Sequence, residues 1–157
     1  MYKILISGYY GFNNIGDESI LRTVIDNLRE KLPDVDITVL SQNPGLTAEK
    51  YGVKAMRRMN ISDIFCSVRG CDLLLSGGGS LLQDATSRKS ILYYLAILAL
   101  AQLLGKRTFI YSQGIGPITG RVNCRLTALV LRRTDGIVVR DEESRCRLQA
   151  IGVPEGL

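Results

Sequence analysis

Lys3-Ile4-Leu5-Ile6-Ser7-Gly8-Tyr9-Tyr10-Gly11-Phe12-Asn13-Asn14-Ile15-Gly16-Asp17-Glu18 is the stretch on which the fold of this chain turns. A short β-rich run ends in a glycine loop, and the loop opens into a segment whose Ile20, Leu21, Val24, Ile25 and Leu28 recur at helical spacing. Pro33 stops that helix, which is expected from about Asp17 to Leu32. Strand, glycine turn and helix in this order open a parallel α/β unit, and the alternation continues along the chain. Further strands are expected at Asp36–Leu40, Val53–Met56, Asp72–Ser76, Thr108–Ser112 and Gly136–Arg140, and helices at Ser62–Arg69, Arg88–Leu104, Arg121–Arg133 and Asp141–Ala150. The fold class is therefore α/β, a Rossmann-like doubly wound parallel sheet over residues 1–157.

Composition narrows the function. The chain has 157 residues with 20 Lys+Arg, 15 Asp+Glu, 46% apolar residues and no His. Within these residues, any mechanism needing an imidazole base or a His metal ligand is excluded. The modest net charge of +5 and the absence of basic runs interleaved with aromatics argue against a nucleic-acid partner. Cys66, Cys71, Cys124 and Cys146 form no CxxC pair, so no metal site is expected, and they read as reduced, part-buried thiols of a cytoplasmic protein. Ile91 to Ala101 is continuously apolar, but Gln102 and Lys106-Arg107 close it far short of the ~20 residues of a bilayer span. Such a helix is expected to be buried between layers or at a domain interface. The last residues, Gly152 to Leu157, read as the approach to another strand, so a fragment of a longer protein is expected.

Doubly wound sheets bind ligands beyond the C-terminal ends of their strands, so the residues leaving each strand matter most. After the first strand, Gly11 and Gly16 copy P-loop spacing, but Asp17-Glu18 stands where a P-loop has Lys-Ser/Thr and reverses the charge. GxGxxG is absent, and the second strand leaves into Ser41-Gln42-Asn43 with no acid for a ribose, which argues against NAD. Asp17 as helix N-cap and Glu18 in the first turn fit ordinary helix chemistry. Both also fit carboxylates that accept from sugar hydroxyls or remove a proton from one, with Asn13 and Asn14 beside them.

The fourth strand leaves into Gly77-Gly78-Gly79-Ser80-Leu81-Leu82-Gln83-Asp84. Three glycines there can present successive N–H groups to an anion, and Gln83 and Asp84 stand out from an apolar run. The fifth leaves into Gln113-Gly114-Ile115-Gly116-Pro117, a fixed turn that reads as ligand-facing. At the sixth, Asp141 reads as a helix cap and Arg140 as an anion binder. On the helix after residue 120, Arg121, Arg125 and Arg132 share a stripe beside Val122, Leu126, Leu129 and Val130. That face reads either as solvated or as attracted to anionic lipid or a lipid-linked phosphate.

In this order, Ser7 to Glu18, Gly77 to Asp84, Gln113 to Pro117 and Arg140-Asp141-Glu142-Glu143-Ser144 resemble the polysaccharide pyruvyl transferase family, and most closely its CsaB-like branch. The resemblance implies the N-terminal domain of a GT-B-like two-domain enzyme whose C-terminal domain lies outside this chain. It implies transfer of pyruvyl from phosphoenolpyruvate, as donor substrate and with no further cofactor, to two hydroxyls of a sugar, with release of phosphate. In that branch the implied acceptor is N-acetylmannosamine in a lipid-linked secondary cell-wall polymer, to which S-layer proteins bind. The implied location is cytoplasmic, with peripheral contact at the inner face of the membrane.

On this reading Asp17 and Glu18 are the expected catalytic residues. Gly11, Asn13, Asn14, Gly77, Gly78, Gly79, Ser80, Gln83, Asp84, Gln113, Gly114, Gly116 and Arg140 are the expected substrate-binding residues, lining the acceptor-side wall of an interdomain cleft. An imidazole and most of the arginine clamp are expected in the second domain. A GT-B glycosyltransferase using a nucleotide sugar, and a catalytically silent sugar-binding domain, are the alternatives.

Overall fold

Each apolar strand of this chain alternates its side chains between two helical layers, and β1 (Tyr2–Ser7) shows how. Ile4 and Ile6 pack in one core with Leu21, Val24 and Ile25 of α1 (Ile15–Lys31), while Leu5 packs in the other with Leu95 and Leu98 of α4 (Arg88–Leu103). The computed structural model describes residues 1–84 and 88–154, leaving aside the side chains of Arg88 and Lys89. The remaining elements are β2 (Val35–Ser41), α2 (Pro44–Tyr51), β3 (Lys54–Arg57), α3 (Ile61–Gly70), β4 (Leu73–Gly77), β5 (Arg107–Gln113), α5 (Arg121–Leu131), β6 (Gly136–Val139) and α6 (Glu142–Ala150).

All strand pairings are parallel, in the order β3-β2-β1-β4-β5-β6. The chain therefore winds outward twice from the centre, and the winding reverses between β1 and β4. A crevice opens at such a switch point.

The expected strands are all present, with no end shifted by more than one residue. Three local features differ from the sequence reading. Helix α1 starts earlier than expected, because Asn14 and not Asp17 is its N-cap: the Asn14 side-chain oxygen accepts from Gly16 N at 3.0 Å and Asp17 N at 3.5 Å. Helix α2 carries no apolar periodicity long enough to announce itself, and its sequence signals are Asn43 as cap, Pro44 in the first turn and the left-handed Gly52 at its end. The apolar helix α4 buries Ile91, Leu95, Leu98 and Ala101 but leaves Leu92 and Leu103 exposed, so it is covered on one broad face and not all round.

All four cysteines are free, with Cys66 and Cys146 exposed, Cys124 intermediate and Cys71 buried. Burial pushes the Cys71 thiol pKa up, which keeps it protonated and inert. Among the described residues no helix is long and apolar enough to cross a membrane. Val153 is buried and its N–H donates to Leu148 O, while 155–157, within the expected approach to a further strand, lie outside the described residues.

Candidate active site at the switch point

The loop after β1 is held shut by its own aromatic ring. Tyr10 is fully buried, and its hydroxyl donates to Gly77 O at 2.7 Å, tying the exit of β1 to that of β4. A Cβ on Gly8 would lie 2.3 Å from that ring, and one on Gly11 would lie 2.2 Å from Ser41 Oγ. Gly11 also has φ +81, so no side-chain-bearing residue fits there without displacing the exit of β2.

Asp17 and Glu18 part company at this point. Glu18 is turned towards α2, where its carboxylate accepts from Gly11 N at 2.9 Å, from the Tyr51 hydroxyl and from Lys50 Nζ at 3.4 Å. Burial raises its pKa, but the Tyr51 hydroxyl, the Gly11 amide and Lys50 outweigh that and hold it below the ordinary carboxylate value. It is an ionised anchor for the glycine loop. Asp17 turns the other way, with Oδ1 2.6 Å from where a Cβ on Gly79 would stand. Among the described residues no donor reaches its carboxylate, and burial followed by the Glu18 charge pushes its pKa up. A carboxyl with a raised pKa and unfilled acceptor positions in a crevice is suited to proton transfer.

Opposite Asp17, Gly78 (φ +79) and Gly79 (φ +64) adopt consecutive left-handed conformations. The Gly79 carbonyl accepts from Gly114 N at 2.9 Å, and among the described residues nothing accepts from the N–H groups of Gly79 or Ser80. A Cβ on Gly114 would come within 2.6 Å of Ser80 Oγ and 2.9 Å of an Arg140 guanidinium nitrogen. Gly114 is thus the gap through which the exits of β4, β5 and β6 meet. Arg140 is exposed and keeps Asp141 on its Nε at 3.2 Å, with its outer nitrogens over Gly114. Gln113 is fully buried beside it; its Oε1 accepts from Ser76 Oγ at 3.5 Å, and among the described residues its Nε2 has no partner.

The other expected site residues are placed elsewhere. Asn13 (φ +59) lies beside α1 and α2 in a groove of about 460 Å³ shared with Arg22 and Tyr51. Asn14 is engaged in capping. Gln83 fills the space over Gly116, where a Cβ would sit 2.4 Å from its own. Asp84 is buried, and its two oxygens accept from Thr119 N at 2.8 Å, Thr119 Oγ1, Gly120 N at 2.9 Å and Asn123 Nδ2. It caps α5, whose own N-cap Gly120 has no side chain to do so. The backbone amides of Thr119 and Gly120 lead in lowering the Asp84 pKa to about 2.

Replacing Asp84 by Asn turns one of these acceptors into a donor facing a donor. The expected loss is about 2 kcal/mol of stability, read from urea unfolding at neutral pH. Because the folded pKa lies below the ordinary 3.8, the wild-type advantage is complete above that value and fades as pH falls through about 2.

One residue of the site had no motif to announce it. Arg58, 7% exposed, donates to Gly8 O at 3.3 Å and to the Tyr94 hydroxyl at 3.1 Å. Its guanidinium lies 4.8 to 5.6 Å from the ring centroids of Tyr9, Phe12, Tyr93 and Tyr94. Its Nε is buried, with no partner among the described residues. It pins the first loop to α4. The available signal was Tyr93-Tyr94 inside an apolar helix, since buried tyrosine hydroxyls need polar partners.

The fold and this arrangement define a Rossmann-like domain in which the strand exits around the β1/β4 switch point bring together a carboxylate with no donor among the described residues, two left-handed glycines and an arginine. Among the described residues no three metal-ligating side chains come together. Residues 14–155 match the family model for polysaccharide pyruvyl transferase, and the chain belongs to that family. No curated protein matches it. Among solved structures it is similar to a crystal structure of S. aureus homoserine dehydrogenase at 14% identity and TM-score 0.44, covering 88% of this chain and 32% of that one. The chain thus spans about a third of that protein, and the fold assignment rests on the sheet order itself.

Proposed function

We propose that this domain forms one wall of the active site of an enzyme that transfers pyruvyl from phosphoenolpyruvate to a sugar of a lipid-linked secondary cell-wall polymer. The observation that carries the reading is the placing of Asp17 against Gly79, with Ser80 and Arg140 meeting across Gly114. The reaction needs a proton delivered to the enol carbon, a proton taken from each attacking hydroxyl, and cover for the leaving phosphate and the carboxylate. Asp17 is suited to the hydroxyl side. The N–H groups of Gly79 and Ser80 with Arg140 are suited to an anionic group, phosphate or carboxylate. N-acetylmannosamine is the proposed acceptor sugar, ketalised through two hydroxyls, at the cytoplasmic face of the membrane.

A second, GT-B-like domain is the proposed opposite wall. Tyr9, Phe12, Ile15, Met59 and Ile61 are large, apolar and exposed on the loops and helix starts that follow β1 and β3, as a face awaiting cover would be. The complete protein, given phosphoenolpyruvate and an N-acetylmannosamine-containing acceptor, is expected to release inorganic phosphate only when both are present. Absence of release across several acceptors, with thermal protection by UDP- or GDP-sugars and none by phosphoenolpyruvate, would instead identify a nucleotide-sugar glycosyltransferase.

A further inference from the structure

Helix α5 turns two kinds of side chain outward at once. Its inner face buries Asn123, Thr127, Val130 and Leu131. Its outer face exposes Val122 (68%), Leu126 and Leu129 (51%), which at about 100° per residue fall on one stripe. Arg121 and Arg125 are exposed along the flank of that stripe, and Arg132 and Arg133 are exposed at its end. From Ile118 to Thr134 there is no acidic residue. The neighbouring end of α4 extends the surface with Leu103, 80% exposed, and with Lys106, beside a shallow groove of about 430 Å³. The one carboxylate bordering that groove, Asp135, is held by the amide of Thr108 at 2.8 Å.

We infer that this face docks on an anionic phospholipid surface. An exposed apolar stripe flanked by arginines is the pattern with which a helix lies in a bilayer interface, its apolar side chains entering the headgroup boundary while the cations meet lipid phosphates. Charge also decides against a second copy as occupant. A two-fold contact through α5 would press Arg121 and Arg125 against the same helix of the copy, which from Ile118 to Thr134 offers them no carboxylate. The Arg121 end of α5 is the end next to the strand exits, fixed there by Asp84 on Gly120. A domain docked by this helix therefore holds its crevice close to the headgroups. The docking itself does not depend on the pyruvyl-transfer reading.

The test is cosedimentation of the complete protein with vesicles of phosphatidylcholine alone or mixed with phosphatidylglycerol. Binding is expected to the mixed vesicles only, and to weaken as salt rises. Arg121→Gln with Arg125→Gln is expected to lower partition roughly 25-fold, taking roughly fivefold for each arginine near the surface. Leu126→Ser with Leu129→Ser is expected to weaken binding with only a small fall in the unfolding midpoint, since Leu126 is 37% and Leu129 51% exposed. Equal binding to both vesicle types, no binding at low salt, or equal binding by the variants would overturn the inference. So would a shift from dimer to monomer in the leucine variant, which would make the face an interface between copies.

Discussion

Asp17→Asn is expected to lower pyruvyl transfer roughly 10²- to 10⁴-fold while leaving the protein as stable as before or slightly more so. The two halves of this expectation have one cause. Burial and the neighbouring Glu18 charge raise the Asp17 pKa, so its ionisation costs folding free energy at neutral pH. Removing the charge removes that cost, and the difference vanishes below the unfolded carboxylate pKa. The amide keeps the shape but can neither take nor give a proton. If Asp17 is the base, the wild-type rate rises with pH through a pKa above the ordinary 3.8, and that limb disappears in the variant. A variant that loses stability and turnover together would make Asp17 a structural carboxylate. Glu18→Gln should behave oppositely, because three donors already hold the Glu18 carboxylate and lose an anionic partner when it is neutralised.

Arg58→Ala is expected to cost about 3 kcal/mol, a larger loss of stability than Asp84→Asn brings. It deletes the bonds to Gly8 O and the Tyr94 hydroxyl, both buried, and the contacts with four aromatic rings. Arg58→Lys should restore only part of this, since one ammonium cannot span both acceptors as the planar guanidinium does. Urea midpoints of the three proteins decide the matter; a loss below about 1 kcal/mol in the alanine variant would mean the rings close over the gap unaided. Transfer activity should fall in the same order, because Gly8 to Asn14 is the loop that leads into Asp17.

Much of this was legible locally. Every strand was readable from short apolar runs ending in glycine or polar residues, and Asp141 was readable as the α6 cap, which its bond to Ser144 N at 2.8 Å shows. Gly79, Gly114 and Arg140 were readable as strand exits, where doubly wound sheets place ligands. Asp84 was readable as a polar residue out of place in an apolar run, but its partners at Thr119, Gly120 and Asn123 come from the next loop and helix. Those contacts make it a clamp between two strand exits. Arg58 carried no signal of its own: Tyr93-Tyr94 called for a polar partner without naming it, and the burial of Arg58 depends on rings from the first loop and from α4 closing around it.

The alternation of strands and helices, hence the parallel sheet, and the places where loops leave it are legible in short stretches of sequence. These follow from spacing and turn chemistry, which act over a few residues. Which of the two neighbouring carboxylates faces the exit of β4 depends on packing between elements distant in the chain. Successive side chains on a helix point about 100° apart, and what lies along each direction is set by the order β2-β1-β4. Glu18 meets Tyr51 and Lys50 of α2, while Asp17 meets the bare backbone of Gly79. That difference of one residue, fixed by contacts distant in the chain, separates the anchor from the proposed acid–base group.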